Sequence, residues 1–163
     1  MILLRNCLAI ICVLLGSVQI NAQCTNVTQN ITANQTNLTV SSGVVHVNPG
    51  VVITGTITIS NNATLCNQGT LNTTSITVGT AQIGHIVNYG TISSGTLQFG
   101  TNATGTFNNF GNVTVNNLYL GYHYGYNVNY VNHPGSNLVV NCVAYLLAGE
   151  YTFNGPATFN CPI

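Results

Sequence analysis

The residues that decide the fold are TLCNQGTL (residues 64–71), HIVNYGTI (residues 85–92) and TFNNFGNV (residues 106–113). In each stretch an Asn is followed by one variable residue, by a Gly and, two places beyond the Gly, by an aliphatic residue. The glycines of neighbouring copies are 21 residues apart both times. A short corner that returns at a fixed period indicates that one structural unit is repeated along the chain.

Looser copies of this corner lie before and after the three. The six corners carry the predicted turn glycines, at spacings of 19, 21, 21, 24 and 20 residues: Gly50, Gly69, Gly90, Gly111, Gly135 and Gly155. Six copies at such a period are typical of a solenoid, in which each repeat packs only on its neighbours. We therefore expect an all-β fold over residues 44–163, namely a single-stranded parallel β-helix of about six coils with roughly 20–21 residues in each coil.

The residues between the corners alternate as they do in β-strands. In TITIS (residues 56–60), Ile57 and Ile59 would point inward and Thr58 outward. Helix is a poor alternative, because β-branched residues, Gly and Asn dominate these segments and no helical apolar period occurs.

The Asn and the Gly of the corner have separate predicted roles. Gly adopts backbone angles that strain other residues. Asn tolerates left-handed conformations and, where coils stack, passes hydrogen bonds from amide to amide. We predict an internal ladder of stacked side chains from Asn48, Asn67, Asn88, Asn109 and Asn132. The alternative is that Asn recurs only because it is common in turns.

The first 22 residues have the pattern of an export signal. Arg5 supplies the positive start, residues 8–15 the apolar run, and Ala22 ends a small-residue exit. The apolar run is too short to span a bilayer, which disfavours a membrane anchor. We expect a signal peptide over residues 1–22, an amino-terminal cap or irregular first coil over residues 23–43, and a protein that is secreted or held at the cell surface.

Four cysteines follow the signal segment, and an even number favours disulfides in an exported chain. Cys142 and Cys161 follow the glycines of the last two corners by seven and six residues, so stacking would place them near one another on adjacent coils. We predict a Cys142–Cys161 disulfide and, by default, a Cys24–Cys66 disulfide. No two cysteines are spaced as a metal-binding pair, and no metal site is predicted.

Charge is almost absent from the sequence, which holds one Lys or Arg and one Asp or Glu. Nucleic acid is excluded as a partner, because phosphate affinity rests on Lys and Arg. Glycosidic acid–base chemistry ordinarily uses two carboxylates, and here Glu150 is alone. The four histidines are spread over several repeats, so no catalytic residue and no cofactor is predicted. Low net charge guards weakly against association, and we expect self-association, with a neutral monomer as the alternative.

The fifth repeat is the longest, and its extra residues fall in GYHYGYNVNY (residues 121–130). Insertions in solenoids bulge from one face and often bind partners, and Tyr-rich loops provide rigid amphipathic contact area. We predict a surface that binds a surface glycan or another surface protein, formed by Tyr119, Tyr122, Tyr124, Tyr126 and Tyr130. The alternative is that these rings cover an open flank of the solenoid.

The recurring NQGTL, NYGTI and NFGNV units, after an export signal, resemble the Asn/Gly/Thr-rich β-solenoid stretches of large secreted or surface-attached, adhesin-like proteins of Gram-negative bacteria. The resemblance covers about residues 44–160 and implies a non-enzymatic structural or adhesive module of the cell surface or extracellular matrix. Two alternatives are ice binding, through outward polar rows that include Thr70, Thr91 and Asn112, and a carbohydrate-active parallel β-helix enzyme, which the single carboxylate disfavours.

Overall fold

The structure, a computed structural model, describes residues 24–121, 127–146 and 149–161. The predicted signal peptide, residues 1–22, lies outside the described residues. Within the described residues the chain forms no helix, and its strands are β1 (Gln29–Ile31), β2 (Gln35–Val40), β3 (Val44–Val47), β4 (Val52–Ile59), β5 (Ala63–Asn67), β6 (Thr70–Val78), β7 (Ile83–Asn88), β8 (Thr91–Phe99), β9 (Thr104–Asn109), β10 (Asn112–Leu120), β11 (Val128–Asn132), β12 (Asn137–Leu146), β13 (Gly149–Phe153) and β14 (Ala157–Phe159).

The strands form two parallel sheets that wind as a β-solenoid of about six turns. One sheet, the odd sheet, contains β1, β3, β5, β7, β9, β11 and β13 in that order. The other, the even sheet, contains β2, β4, β6, β8, β10, β12 and β14. Each coil contributes one strand to each sheet, and the predicted all-β solenoid is confirmed.

The core lies between the two sheets and is made by the alternation seen in the sequence. Leu71 of β6 pairs with Ile92 of β8, which pairs with Val113 of β10, and all three side chains are fully buried. Since parallel strands in register bring like positions together, each inward position becomes a continuous apolar column through successive coils. Burial of these columns against the opposite sheet supplies the main favourable term for folding.

Residues 23–43, predicted as a cap or irregular first coil, include β1 and β2. These strands pair in parallel with β3 and β4 and so begin both sheets. The pairing of β2 shifts register between Thr36 and Leu38, where Asn37 has a positive φ of 64°. Here β4 has the extra residue, because Gly55 and Thr56 together stand opposite Asn37. The main-chain N–H of Thr56 donates to Asn37 Oδ1 over 2.8 Å, so the Asn37 side chain replaces a ladder bond at this bulge.

The asparagine ladder is present for four of the five predicted residues. The Nδ2 of Asn67 donates to Asn88 Oδ1 over 2.8 Å, Asn88 donates to Asn109 over 2.8 Å, and Asn109 donates to Asn132 over 2.7 Å. The ladder ends where Asn132 Nδ2 donates to the carbonyl of Pro156 over 2.9 Å. All four Asn side chains are fully buried.

Each rung also bonds to the main chain, and this satisfies the rest of the amide. The second Nδ2–H of Asn67 reaches the carbonyl of Thr91 at 3.3 Å, and the N–H of Gly69 donates to Asn67 Oδ1 at 3.1 Å. An Asn side chain has two donor hydrogens and two acceptor lone pairs. Both donors and both acceptor sites of an interior rung can therefore be used inside the core.

The prediction that Asn48 belongs to the ladder is wrong. The register pairs Val47 with Asn67, so Asn48 lies one residue beyond the ladder position, and its buried Oδ1 has no hydrogen-bond partner. In the ladder, the residue two places after the Asn donates its main-chain N–H to that Asn, as Gly69 does to Asn67. The residue two places after position 47 is Pro49, which has no N–H. An Asn at position 47 would lack that donor.

At Asn132 the same loss occurs and is compensated. Pro134 stands where the other rungs have Gly, but the hydroxyl of Tyr130 donates to Asn132 Oδ1 over 3.2 Å. The hydroxyl of Ser136 lies 2.9 Å from the same oxygen. The side chains of Tyr130 and Ser136 thus take the place of the missing main-chain donor.

The corner glycines fall into two kinds. A Cβ on Gly90 would overlap the carbonyl oxygen of Gly69, and a Cβ on Gly111 would overlap the carbonyl oxygen of Gly90, because neighbouring coils approach closely at this corner. Gly69 and Gly155 have the same need for close approach. Gly135, like Gly50, instead follows Pro in a tight turn and has a positive φ of 83°, which Gly adopts without strain.

One of the two predicted disulfides is confirmed. Cys24 and Cys66 form a disulfide that ties the amino-terminal segment to β5. The Cys142–Cys161 disulfide is wrong, since both thiols are free. Cys142 lies on the outside at a β-bulge of β12 and is exposed, whereas Cys161 packs against the core. The two residues lie beside paired strand positions on adjacent coils, but the side chain of Cys142 points to the outside and that of Cys161 points toward the core.

We expect Asn88→Ala to lower the free energy of unfolding by about 3 kcal/mol and the melting temperature by roughly 10 °C, because it leaves the buried amides of Asn67 and Asn109 without partners. Thermal unfolding followed by circular dichroism measures this. The matched control is Asn72→Ala, an exposed Asn on β6, which should stay within about 0.5 kcal/mol of the parent protein. An unchanged melting temperature in Asn88→Ala would contradict a stabilising ladder.

Alkylation of the protein without residues 1–22, in denaturant and without reductant, should modify Cys142 and Cys161 and spare Cys24 and Cys66. Mass spectrometry of the labelled peptides checks the assignment. Opening the disulfide by Cys66→Ser should cost about 4 kcal/mol for a loop of this length in the chain-entropy model. Cys142→Ser is the matched control and should be nearly neutral. Labelling of Cys24 and Cys66 without reduction would contradict the pairing.

Candidate binding surface

The outer side of the even sheet carries rows of short polar side chains. Thr54 pairs with Asn72, Asn72 with Ser93, and Ser93 with Thr114, so one exposed row crosses β4, β6, β8 and β10. A second row along its edge contains Thr70, Thr91 and Asn112. We call these two rows the polar face. Its regularity follows from the strand pairing, which sets equivalent residues about 4.8 Å apart.

A third outer row of the even sheet changes character along the solenoid. It begins with Thr58 and Thr77, continues with Gln98 and ends with Tyr119 and Tyr145. The two tyrosine rings are stacked, with centroids 5.5 Å apart and planes inclined by 15°. Tyr145 is 40% exposed. The row therefore passes from small hydroxyls to a pair of aromatic side chains within five coils.

A cleft of about 610 Å³ opens beside these tyrosines. We call it the tyrosine groove, and its lining includes Thr80, Thr96, Gln98, Thr101, Tyr119 and Tyr145. Its size lies within the range of small-ligand sites. Among the residues that the structure describes, every side chain that lines the groove is uncharged.

Of the five tyrosines predicted to form a binding surface, the structure places Tyr119 in this groove. Tyr122, Tyr124 and Tyr126 lie outside the described residues. The prediction is wrong for Tyr130, whose side chain is fully buried and packs edge-on against Phe107 with ring centroids 5.0 Å apart. Burial raises the pKa of the Tyr130 hydroxyl, which acts as a donor to the ladder and not as a surface contact.

Sequence reasoning missed Tyr145, the exposed partner of Tyr119. The signal was available in the strand alternation, because Ala144 points inward and Tyr145 therefore points outward. What the sequence does not display is the pairing of β10 with β12, in which Tyr119 lies opposite Tyr145. That pairing includes a bulge, which shifts the register by one residue relative to simple counting.

A second aromatic cluster lies at the corner that follows the odd sheet. Tyr89 stacks on Phe110 with ring centroids 4.8 Å apart, and Phe110 stacks on His133 at 3.8 Å. Partial burial raises the pKa of Tyr89 and lowers the pKa of His133. The faces of the middle ring are occupied by its neighbours, so this cluster stabilises the stacking of coils at that corner.

The described histidines bridge coils through hydrogen bonds to neutral partners. His46 contacts Asn30 Oδ1 at 2.9 Å and Gln68 Oε1 at 3.1 Å. His85 contacts Thr106 Oγ1 at 3.0 Å and Asn62 Oδ1 at 2.9 Å, and burial lowers its pKa. In the part of the chain that the structure describes, no group of three or more His, Cys, Asp or Glu side chains is arranged to hold a metal ion.

Glu150 carries the one charged side chain of the described residues. It lies on β13, is exposed, and is paired in register with Asn129 of β11. No His, Lys or Arg lies in its row of the neighbouring strand. The outer surfaces of both sheets are consequently almost free of electrostatic features.

Comparison with protein-family models, with curated proteins and with solved structures found no match to this chain. Over the residues that the structure describes, no helix is long and apolar enough to cross a membrane.

Proposed function

We propose that the chain is a non-enzymatic, exported structural or adhesive module that acts at the cell surface or in the extracellular matrix. The observation that carries the proposal is the chemistry of the solenoid's outer surface. Registered rows of Thr, Ser and Asn cover the even sheet, and a groove with two tyrosines interrupts them. Such a surface suits contacts with neutral, hydroxyl-rich material.

The Cys24–Cys66 disulfide supports the exported location within this proposal. Structural disulfides persist in oxidising compartments and are rare in reducing ones. The bond joins the segment directly after the proposed cleavage site to the solenoid, so it protects the amino-terminal end of the mature chain against unfolding.

A hydrolytic or lyase function is disfavoured because the sequence has too few ionisable side chains to form a catalytic acid–base pair. The sequence has one Asp or Glu and one Lys or Arg in total, and the histidines contact neutral amides and hydroxyls. A glycosidic acid–base pair needs two carboxylates flanking one bond. A carbohydrate in contact with this surface would therefore be bound and not cleaved.

Ice binding is the second candidate, and the polar face is the observation that favours it. Its two rows run in register through β6, β8 and β10, and a flat, regular array of hydroxyls can order water. Val139 of β12 continues the Thr114 row and breaks its polarity. A thermal hysteresis assay on the purified protein separates this candidate from the first.

An antibody against residues 24–163 should label intact source cells, their matrix or the medium without permeabilisation, and loss of the gene should reduce attachment to surfaces. Immunofluorescence with and without detergent tests the location, with an antibody to a cytoplasmic protein as the control. Labelling that requires permeabilisation would contradict the proposal.

We expect the protein without residues 1–22 to self-associate, because one carboxylate and a few histidines provide almost no repulsion between molecules. Sedimentation velocity should show a sedimentation coefficient that rises with concentration and changes little with salt. Adding charge with the double variant Thr54→Lys and Thr114→Lys on the polar face tests side-by-side contact and should lower the association. A single monomeric species at all concentrations would contradict this expectation.

A further inference from the structure

We infer that Asn62 and Asn102 are acceptors for N-linked glycans. Each is the first residue of an Asn-Ala-Thr sequence, at residues 62–64 and 102–104. An Asn-x-Thr sequence in a surface loop is the acceptor motif for N-linked glycans in secreted proteins. The inference therefore rests on the exported location in the proposed function, and it adds a covalent modification to the outer surface.

The two motifs stand out among eight Asn-x-Thr sequences, in all of which the Asn is exposed: Asn26, Asn30, Asn34, Asn37, Asn62, Asn72, Asn102 and Asn112. Four of these Asn residues lie on strands, where alternation alone places an outward residue two places after an outward Asn. Asn34 lies outside the strands, but its Oδ1 accepts the N–H of Val52 over 2.8 Å. Thr28, two places after Asn26, bonds through its hydroxyl to the main chain of Val44.

Asn62 and Asn102 occupy equivalent positions in two turns that lead from the even sheet to the odd sheet. A main-chain hydrogen bond joins the first and fourth residues of each turn, over 3.0 Å in residues 60–63 and over 2.9 Å in residues 100–103. The Asn is the third residue and has a positive φ, 60° at Asn62 and 55° at Asn102. Asn visits this left-handed region more readily than most residues, so the turn accounts for the Asn.

The turn does not account for the Thr two places after the Asn. The coil between these two has a turn at residues 79–82 with the same closing bond, and its third residue is Ala81 with a φ of 53°. Two places after Ala81 is Ile83. The turn therefore forms without either residue of the motif, and the combination of Asn with Thr64 or Thr104 is not a demand of the fold.

The acceptor atoms of both motifs are accessible. Both Asn side chains are exposed, and the Nδ2 of neither donates a hydrogen bond to another residue that the structure describes. Asn62 Oδ1 lies 2.9 Å from His85 Nε2, a contact that a glycan on Nδ2 leaves intact. Within the described residues the hydroxyls of Thr64 and Thr104 also make no hydrogen bond. Because both turns join the two sheets, a glycan on them does not interrupt the pairing of strands.

The transfer needs no ionisable side chain of this protein. The glycan is supplied as an oligosaccharide on a polyprenyl pyrophosphate, and an oligosaccharyltransferase of the source catalyses the exchange. The Nδ2 of the Asn forms a bond to C1 of the first sugar, and the bond from C1 to the pyrophosphate breaks. Nδ2 loses one proton, and the lipid pyrophosphate leaves.

Glycans at these turns supply hydration that the charge of the chain does not. The sequence has one Asp or Glu and one Lys or Arg, and so low a net charge guards weakly against association. N-linked glycans are bulky, solubilising surface groups. The glycosylated protein should therefore self-associate less than the bare polypeptide.

The test is mass spectrometry of peptides from the protein that the source exports, isolated from the medium or the cell surface. We expect a glycan on the peptides that contain Asn62 and Asn102. An amidase specific for N-linked glycans should release it and convert each Asn to Asp, which marks the site by mass. Exported protein in which both residues are unmodified would overturn the inference and leave the proposed function standing. Protein that stays inside the cells would overturn both.

The variants Thr64→Val and Thr104→Val, expressed in the source, remove the motif but keep each Asn and a β-branched side chain. Each should lose the glycan of its own Asn, and the double variant should lose both and sediment as larger assemblies than the parent. The matched control is Thr101→Val, at an exposed Thr beside Asn102 that belongs to no motif; it should keep both glycans. Melting temperatures of the variants identify any loss caused by unfolding. Glycans that persist on the double variant would refute the assignment.

Discussion

A buried asparagine can remain inside this solenoid only if the next coil places a hydrogen-bond partner beside its amide. Asn67, Asn88 and Asn109 each bond through that amide both to the next Asn and to the carbonyl at the start of the next strand of the even sheet. Asn132, the last rung, donates to the carbonyl of Pro156. A slip of one residue between coils would leave several buried amides unpaired at once, each at a cost of about 1–3 kcal/mol. The ladder therefore specifies register, which the uniform apolar columns alone specify weakly.

The near absence of charge is compatible with this arrangement because the fold does not depend on electrostatics. Its polar groups are satisfied by strand pairing, by the ladder and by side-chain bonds across coils such as those of His46 and His85. The outer rows repeat hydroxyls and amides at the spacing of the strands. The repeat therefore determines which polar groups the surface presents, and a residue that departs from the repeat changes the surface at that position.

The solenoid and most of its ladder could be predicted because both depend on period alone. The errors arose at residues that match the repeat in spacing but whose side chains do not point in the direction that the repeat predicts. Asn48 matches the corner in letters but lies one residue after the ladder position, opposite Gln68 and not Asn67. Cys142 and Cys161 match in spacing, but a bulge turns Cys142 outward while Cys161 packs inward. Tyr130 falls on an inward position of β11, which the irregular spacing of the fifth repeat concealed.

The features that break the repeat lie together in the later coils, and this bears on where function resides. The connection from β10 to β11 spans residues 121–127, whereas the connection from β8 to β9 spans residues 100–103. The same region has the Pro134–Gly135 turn, the bulge of β12 and the Tyr119–Tyr145 stack. A regular coil gains stability from matching its neighbours, so each departure weakens that match. At Asn132 the departure is offset by Tyr130 and Ser136 inside the core, which leaves the outer surface of these coils able to carry a groove that no regular repeat would form.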